Sequence, residues 1–285
     1  VLNCDVSSVS FQPATPAPVR KQRGHHRTSG WVPNQHGAWA MVIVPWVLGT
    51  WLRFHQGRGA AYALVLGLFW LVGYFTFHAT SVWLKSRRQA RYRRPVLVYG
   101  AITAALGLLT WALAGVALAW WVVPFVPVLA VALALAASRH ERALVGGLLT
   151  VAAACLVVLV AAYASPAEVP SSDGTAVGLA LACLGYFGGT VFFVKSMIRE
   201  RGNAGFLAMS VGWHVAVLAA AVVASLLTGF PWAWAVLFAI LVVRSLALPL
   251  VGPMRTDGLR FTPKQLGLAE GVFSLALMVI AFTTS

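Results

Sequence analysis

The chain has 285 residues, 60% of them hydrophobic and 10% charged, where soluble globular domains average roughly 45–50% and about 25%. With a mean hydropathy of +0.81, that balance excludes a water-soluble single domain and points to a polytopic membrane protein. The net charge of +14 comes from 21 Lys and Arg against 7 Asp and Glu, so the positions of the cations carry more information than their number.

Residues 1–30 mix Ser and Pro with the basic run Arg20-Lys21-Gln22-Arg23-Gly24-His25-His26-Arg27 and contain no apolar stretch of signal-peptide length. They read as a disordered basic cytoplasmic tail; the alternative is a segment outside the mature protein. Residues 31–285 read as the membrane domain.

A transmembrane helix needs about 20 mostly apolar residues. Nine stretches satisfy this, at 36–52, 59–84, 96–117, 119–138, 142–164, 175–198, 205–228, 231–250 and 265–282. The first is short and begins at Pro33-Asn34-Gln35-His36-Gly37. With the N-terminus inside, Lys and Arg should collect in the cytoplasmic loops. Of the 21 cations, only Arg53 and Arg58 then fall outside. Dropping or adding one helix would move every later loop to the other side. The expectation is therefore an all-α bundle of nine spans in a bacterial inner membrane, with the N-terminus cytoplasmic and the C-terminus extracytoplasmic. Trp51, Trp120, Trp121, Trp232 and Trp234 fall at predicted outer ends and read as interfacial anchors. Cys155 and Cys183 lie in apolar segments and read as small hydrophobes rather than a disulfide framework. Gly185 and Gly189, four apart, suit close helix packing.

An ionisable group inside a bilayer needs a partner, a cavity or a route to the surface. His78, Lys195, His214, Arg244 and Glu270 are the five such positions. By helix rise, Arg244 lies about 8 Å before Pro249 and Glu270 about 10 Å after Pro263, so the two are expected to pair. All five fall within roughly 15 Å of the cytoplasmic face, which favours a cavity open to that side and closed above by apolar packing. His36 could serve as a general acid or base, or as a helix-start histidine bonded to a neighbouring carbonyl.

The inner ends of the second and sixth spans resemble each other. Lys85-Ser86 with Arg91 following matches Lys195-Ser196 with Arg201 following, at an offset of about four helices. A second match, Pro33-Asn34-Gln35-His36-Gly37 with Pro263-Lys264-Gln265-Leu266-Gly267, sits at about twice that offset. The offsets are consistent with a four-plus-four repeat and a ninth helix, the Lys-Ser turns facing each other across a central cavity. His78, Ser81 and Lys85 share one helix face, as do Lys195 and Arg199. A mouth ringed by Lys85, Arg88, Arg91, Lys195, Arg199 and Arg201, with Glu200 and Asn203 as the polar exceptions, would suit a phosphate, diphosphate or carboxylate. The competing explanation is the positive-inside rule and attraction to anionic lipid headgroups.

Gln35-His36-Gly37-Ala38-Trp39-Ala40-Met41, Arg91-Tyr92-Arg93-Arg94-Pro95, the segment from Val194 to Asn203 and Leu266-Gly267-Leu268-Ala269-Glu270 together resemble the YwiC-like family of bacterial membrane proteins, from about residue 31 to 282. The family carries no established activity. More distantly, the span number, the repeat and the polar inner ends of the second and sixth spans resemble the UbiA prenyltransferase superfamily. Its members hold magnesium and an isoprenyl diphosphate on Asp-rich motifs at those points. Here residues 77–94 and 189–203 contain no Asp and only Glu200, so Mg2+ is not expected and no cofactor is predicted. Catalytic residues are not assignable. The leading expectation is a protein that binds, and could transform, an anionic amphiphile such as an isoprenoid or quinone precursor. The candidate lining is His36, His78, Ser81, Lys85, Lys195, Ser196, Arg199, His214, Arg244 and Glu270. The alternatives are a transporter of a small anionic metabolite and an accessory subunit. The expected partners are membrane lipids and the anionic ligand, not nucleic acid.

Overall fold

In an apolar medium every backbone N–H and C=O must be satisfied within the chain, so segments this hydrophobic become helices. The computed structural model describes residues 30–33, 38–138, 144–251 and 263–284. Among them run nine α-helices: α1 Ala38–His55, α2 Ala61–Lys85, α3 Arg93–Ala114, α4 Val122–Ala137, α5 Leu144–Ala162, α6 Thr175–Ile198, α7 Ala204–Thr228, α8 Trp232–Val251 and α9 Pro263–Thr284. Each coincides with a predicted span to within a few residues. Eight of the nine are long and apolar enough to cross a membrane. The exception is α1, whose 18 residues include Pro45, Arg53 and His55. The basic N-terminal tail and His36 lie outside the described residues.

Local signals set the ends. Asn203 caps α7, its Oδ1 accepting from the Phe206 N–H at 3.1 Å. Gly229, at φ 73°, supplies the left-handed residue that stops the same helix.

The core is built from α1, α5, α6, α8 and α9, where Leu48, Val158, Leu179, Cys183, Leu241 and Leu277 are fully buried. Cys155 and Cys183 are free thiols packed in it, as the sequence suggests. Helix α6 is central and α2 peripheral: 61% of the apolar stretch of α6 is buried against 22% of that of α2. The two helices matched by the internal repeat therefore have unequal surroundings. Two tryptophans also depart from expectation. Trp234 is buried in an aromatic stack between Phe230 and Phe238. Trp121 is buried with its Nε1 donating to the Tyr163 carbonyl at 3.2 Å. Both therefore pack inside the bundle, while Trp120 and Trp232 remain exposed.

The ends of α2 and α6, with the turns that follow them, carry Lys85, Arg87, Arg88, Lys195, Arg199 and Arg201 and are called the basic end below. At the opposite end the two isolated cations are tied into the fold. Arg53 donates from Nε to the Gly59 carbonyl at 2.7 Å and from Nη1 to the Ala162 carbonyl at 3.0 Å. Its guanidinium lies 4.4 Å from the centroid of the Tyr62 ring. The Tyr62 hydroxyl donates to the carbonyls at the end of α5, 2.9 Å from that of Val160. A cation there also meets the negative end of the α5 dipole. Arg58 pairs with Glu168 at 2.6 Å, with both side chains more than a third exposed. Arg53→Ala should therefore lower stability by about 1.5–3 kcal/mol, and Arg58→Ala by no more than about 1 kcal/mol, in thermal unfolding of detergent-solubilised protein. Equal losses would refute this ranking.

Candidate functional site

Polar residues enter the interior of the bundle mainly on α6 to α9. On α6, Tyr186, Thr190 and Phe193 fall at i, i+4 and i+7, one helix face. On α9, Glu270, Phe273 and Ser274 fall at i, i+3 and i+4. Arg244 projects from α8 and His214 from α7, and both are buried. Glycines on α6 let α7 approach: a Cβ on Gly188 would lie 2.6 Å from the Trp213 ring, and one on Gly189 would lie 2.8 Å from His214 Nε2.

Arg244 Nη1 donates to Glu270 Oε1, forming the ion pair expected from the depth of the two residues. The second carboxylate oxygen accepts from Thr190 Oγ1 at 2.8 Å and lies 3.3 Å from the Tyr186 hydroxyl. That hydroxyl has a single proton and a closer acceptor, the Glu270 carbonyl at 2.8 Å. Ser274 donates to the same carbonyl at 2.8 Å. The carboxylate is thus held from α6 and α8 together.

Arg244 is less fully met. Its guanidinium is sandwiched between aromatic rings, 4.2 Å from the Phe193 centroid and 4.9 Å from that of Phe273, contacts that favour a cation over each face. Its Nε and Nη2 are buried and have no hydrogen-bond partner among the described residues. His214 Nδ1 lies 2.7 Å from the Ser210 carbonyl. A carbonyl only accepts, so Nδ1 carries the hydrogen and Nε2 of the neutral ring is an acceptor. That Nε2 and the Ser210 hydroxyl also lack partners among the described residues. By helix rise the cluster lies roughly 10–15 Å from the basic end.

Between the cluster and the basic surface lies a cleft of about 280 Å³, formed by the α6–α7 turn and the last turn of α8. Glu200, Arg201 and Asn203 supply polar lining, and Leu207, Leu248, Pro249 and Leu250 an apolar wall. Leu248 stands one turn beyond Arg244, and Ser196 three residues beyond Phe193. The inner end of the cleft is therefore about 5 Å along the helices from the buried cluster.

The other candidate residues are distributed differently. Ser196 lines the cleft, but its hydroxyl donates to the Phe193 carbonyl of its own helix at 2.8 Å. Lys195 is half-buried, with Nζ 6.0 Å from the Phe206 ring centroid. Arg199 is exposed and does not line the cleft; Arg201 does. His78, Ser81 and Lys85 belong to α2, which packs against α1, α3, α4 and α5, apart from the cluster on α6 to α9. Sequence reasoning missed Tyr186, Thr190, Ser210 and Ser274. Their signal was i, i+4 spacing in otherwise apolar helices: Tyr186 with Thr190, Ser210 with His214, and Ser274 with Glu270. Among the described residues no group of three or more His, Cys, Asp or Glu side chains gathers.

Comparison with known proteins bears out the first resemblance. Residues 32–162, the region of α1 to α5, match the family described as YwiC-like protein. A relative from Bacillus subtilis (strain 168), the uncharacterized protein YwiC, is 29% identical over 184 residues, which cover 65% of this chain and 74% of the relative. No solved structure matches, so the UbiA likeness rests on span number and motif position alone.

Proposed function

We propose that this chain, YwiC-like in sequence and a helical membrane bundle in structure, binds an anionic amphiphile at its basic end, which we assign to the cytoplasmic face of a bacterial inner membrane. The observation that carries this reading is the two-sided lining of the cleft. Arg201 places a guanidinium in the lining for a charged head, beside Glu200 and Asn203, which are hydrogen-bonded to each other at 3.1 Å, while Leu207, Leu248, Pro249 and Leu250 offer an apolar wall for the chain attached to it. Binding sites commonly combine an apolar lining with a few fixed polar groups. The surrounding loop cations would raise the local concentration of an anion. An isoprenoid or quinone precursor with a phosphate or carboxylate head has the right chemistry.

Native mass spectrometry of the purified protein tests this. A lipid-like anion should co-purify, and its retention should fall several-fold in Arg201→Ala and in Leu248→Trp, which fills the apolar wall. Arg199→Ala, outside the lining, should retain it. Equal retention in all three variants would sink the proposal.

A second reading, transport of a small anionic metabolite, is favoured by the buried Arg244–Glu270 pair, because ionisable groups at membrane depth often mark a transport path. It predicts flux driven by a proton gradient in proteoliposomes, abolished in Glu270→Gln.

A further inference from the structure

The acceptors around the buried ion pair are unevenly shared. Glu270 is met by donors from two other helices, whereas Arg244 uses one nitrogen and leaves Nε and Nη2 without partners among the described residues. Those two nitrogens form one edge of the guanidinium, a fork whose parallel N–H groups match the two oxygens of a carboxylate. Arg244 lies over Phe193, and the His214 imidazole fills the notch left by Gly189, one turn earlier on the same helix. The α6 positions against which these two side chains pack, Phe193 and Gly189, are about 6 Å apart along the helix axis.

We propose that this is a binding site for a carboxylate taken up together with one proton. The carboxylate stays ionised on the Nε/Nη2 edge of Arg244. The proton goes to His214 Nε2, which then donates to the same carboxylate. No covalent bond is made or broken. Charge balance explains the pairing. Arg244 and Glu270 already cancel, so an added anion alone would leave a net negative charge in an apolar interior, and protonation of the imidazole removes it. The other charged or titratable groups of the cluster are Tyr186 on α6, Arg244 on α8 and Glu270 on α9. Tyr186 already carries its proton and the Glu270 carboxylate is held ionised by Arg244 and Thr190, which leaves His214 Nε2, an acceptor with no donor among the described residues, as the group to take the proton. The site is separate from the cleft lining and does not depend on what the cleft binds.

The test uses the full chain in lipid nanodiscs with benzoate as probe, titrated calorimetrically at pH 8 in two buffers of different ionisation enthalpy. The expected result is uptake of about one proton per benzoate bound. His214→Gln should still bind benzoate but take up no proton. Arg244→Lys, which keeps the charge and loses the fork, should bind at least about tenfold more weakly. Benzoate bound without proton uptake, unchanged affinity in Arg244→Lys, or no benzoate binding by folded wild-type protein would each overturn the proposal. The proton count in His214→Gln needs no change at the ion pair, so it stays readable if Arg244 variants misfold. A fatty acid that co-purifies and is displaced by benzoate would assign the carboxylate to a lipid; benzoate binding to lipid-free protein would assign it to a soluble acid. Arg201→Ala should leave benzoate binding intact, so failure of the cleft reading and failure of this one are distinguishable.

Discussion

Glu270→Gln should lower unfolding free energy by about 3–5 kcal/mol, measured by denaturant titration in mild detergent. The substitution keeps the shape of the side chain and removes its charge, leaving a guanidinium whose side chain is 5% exposed with nothing to balance it. Arg244→Met should cost less, because the carboxylate retains the Thr190 hydroxyl and its neighbour Tyr186. The double variant Arg244→Met/Glu270→Leu should recover much of the loss, since replacing a buried pair by apolar side chains of similar volume is often neutral or stabilising. If the double variant is as unstable as the sum of the two singles, the pair is not the unit that matters. If Glu270→Gln is no less stable than wild type, the carboxylate is not compensating a buried charge.

Gly49→Ala should be nearly as damaging although it adds a single methyl group. A Cβ at this position would lie 2.3 Å from the Val158 carbonyl oxygen and 2.8 Å from the Ala161 Cβ on α5. Backbone cannot step aside as a flexible side chain can, so α1 would have to lift off α5, its principal packing partner. The expected loss is about 3 kcal/mol, the upper end of ordinary overpacking, and it outweighs the gain of about 1 kcal/mol from better helix propensity. Gly100→Ala on α3 is the control: nothing lies within 4 Å of its Cβ position, so stability should be unchanged or slightly raised. Thermal unfolding of both variants in one detergent decides. Equal behaviour of Gly49→Ala and Gly100→Ala would mean that the α1–α5 contact is not so close.

Much of this architecture is legible in the sequence because membrane insertion imposes strong local rules. Apolar run length fixed the helices to within a few residues. The regular rise of a helix let Pro249 and Pro263 serve as depth marks for Arg244 and Glu270, and the two do pair. Lateral arrangement was less legible. Lipid and protein interior are both apolar, so hydropathy does not say which face of a helix meets which. Trp121 and Trp234 looked like interfacial anchors for that reason, and α2 and α6 looked equivalent although one is peripheral and the other central. Tyr186 and Thr190 escaped notice because hydroxyl groups carry no charge to flag them in an apolar run; their spacing relative to Phe193 becomes meaningful only once α8 and α9 are seen against that face. The cleft lining depended on the α6–α7 turn, where two residues decide that Arg201 and not Arg199 lines it.

The ion pair also bears on how the chain is made. Arg244 and Glu270 are separated by 26 residues, so the arginine leaves the ribosome on the order of 1–5 s before its counter-ion exists. During that interval α8 carries a charge that opposes insertion by about 2.5–3.5 kcal/mol at mid-bilayer. Thr190, Tyr186 and Phe193 are already in place on α6, but none of them neutralises it. Helices α8 and α9 are therefore expected to leave the translocon as a hairpin, in which Glu270 on α9 relieves the charge that α8 carries into the membrane.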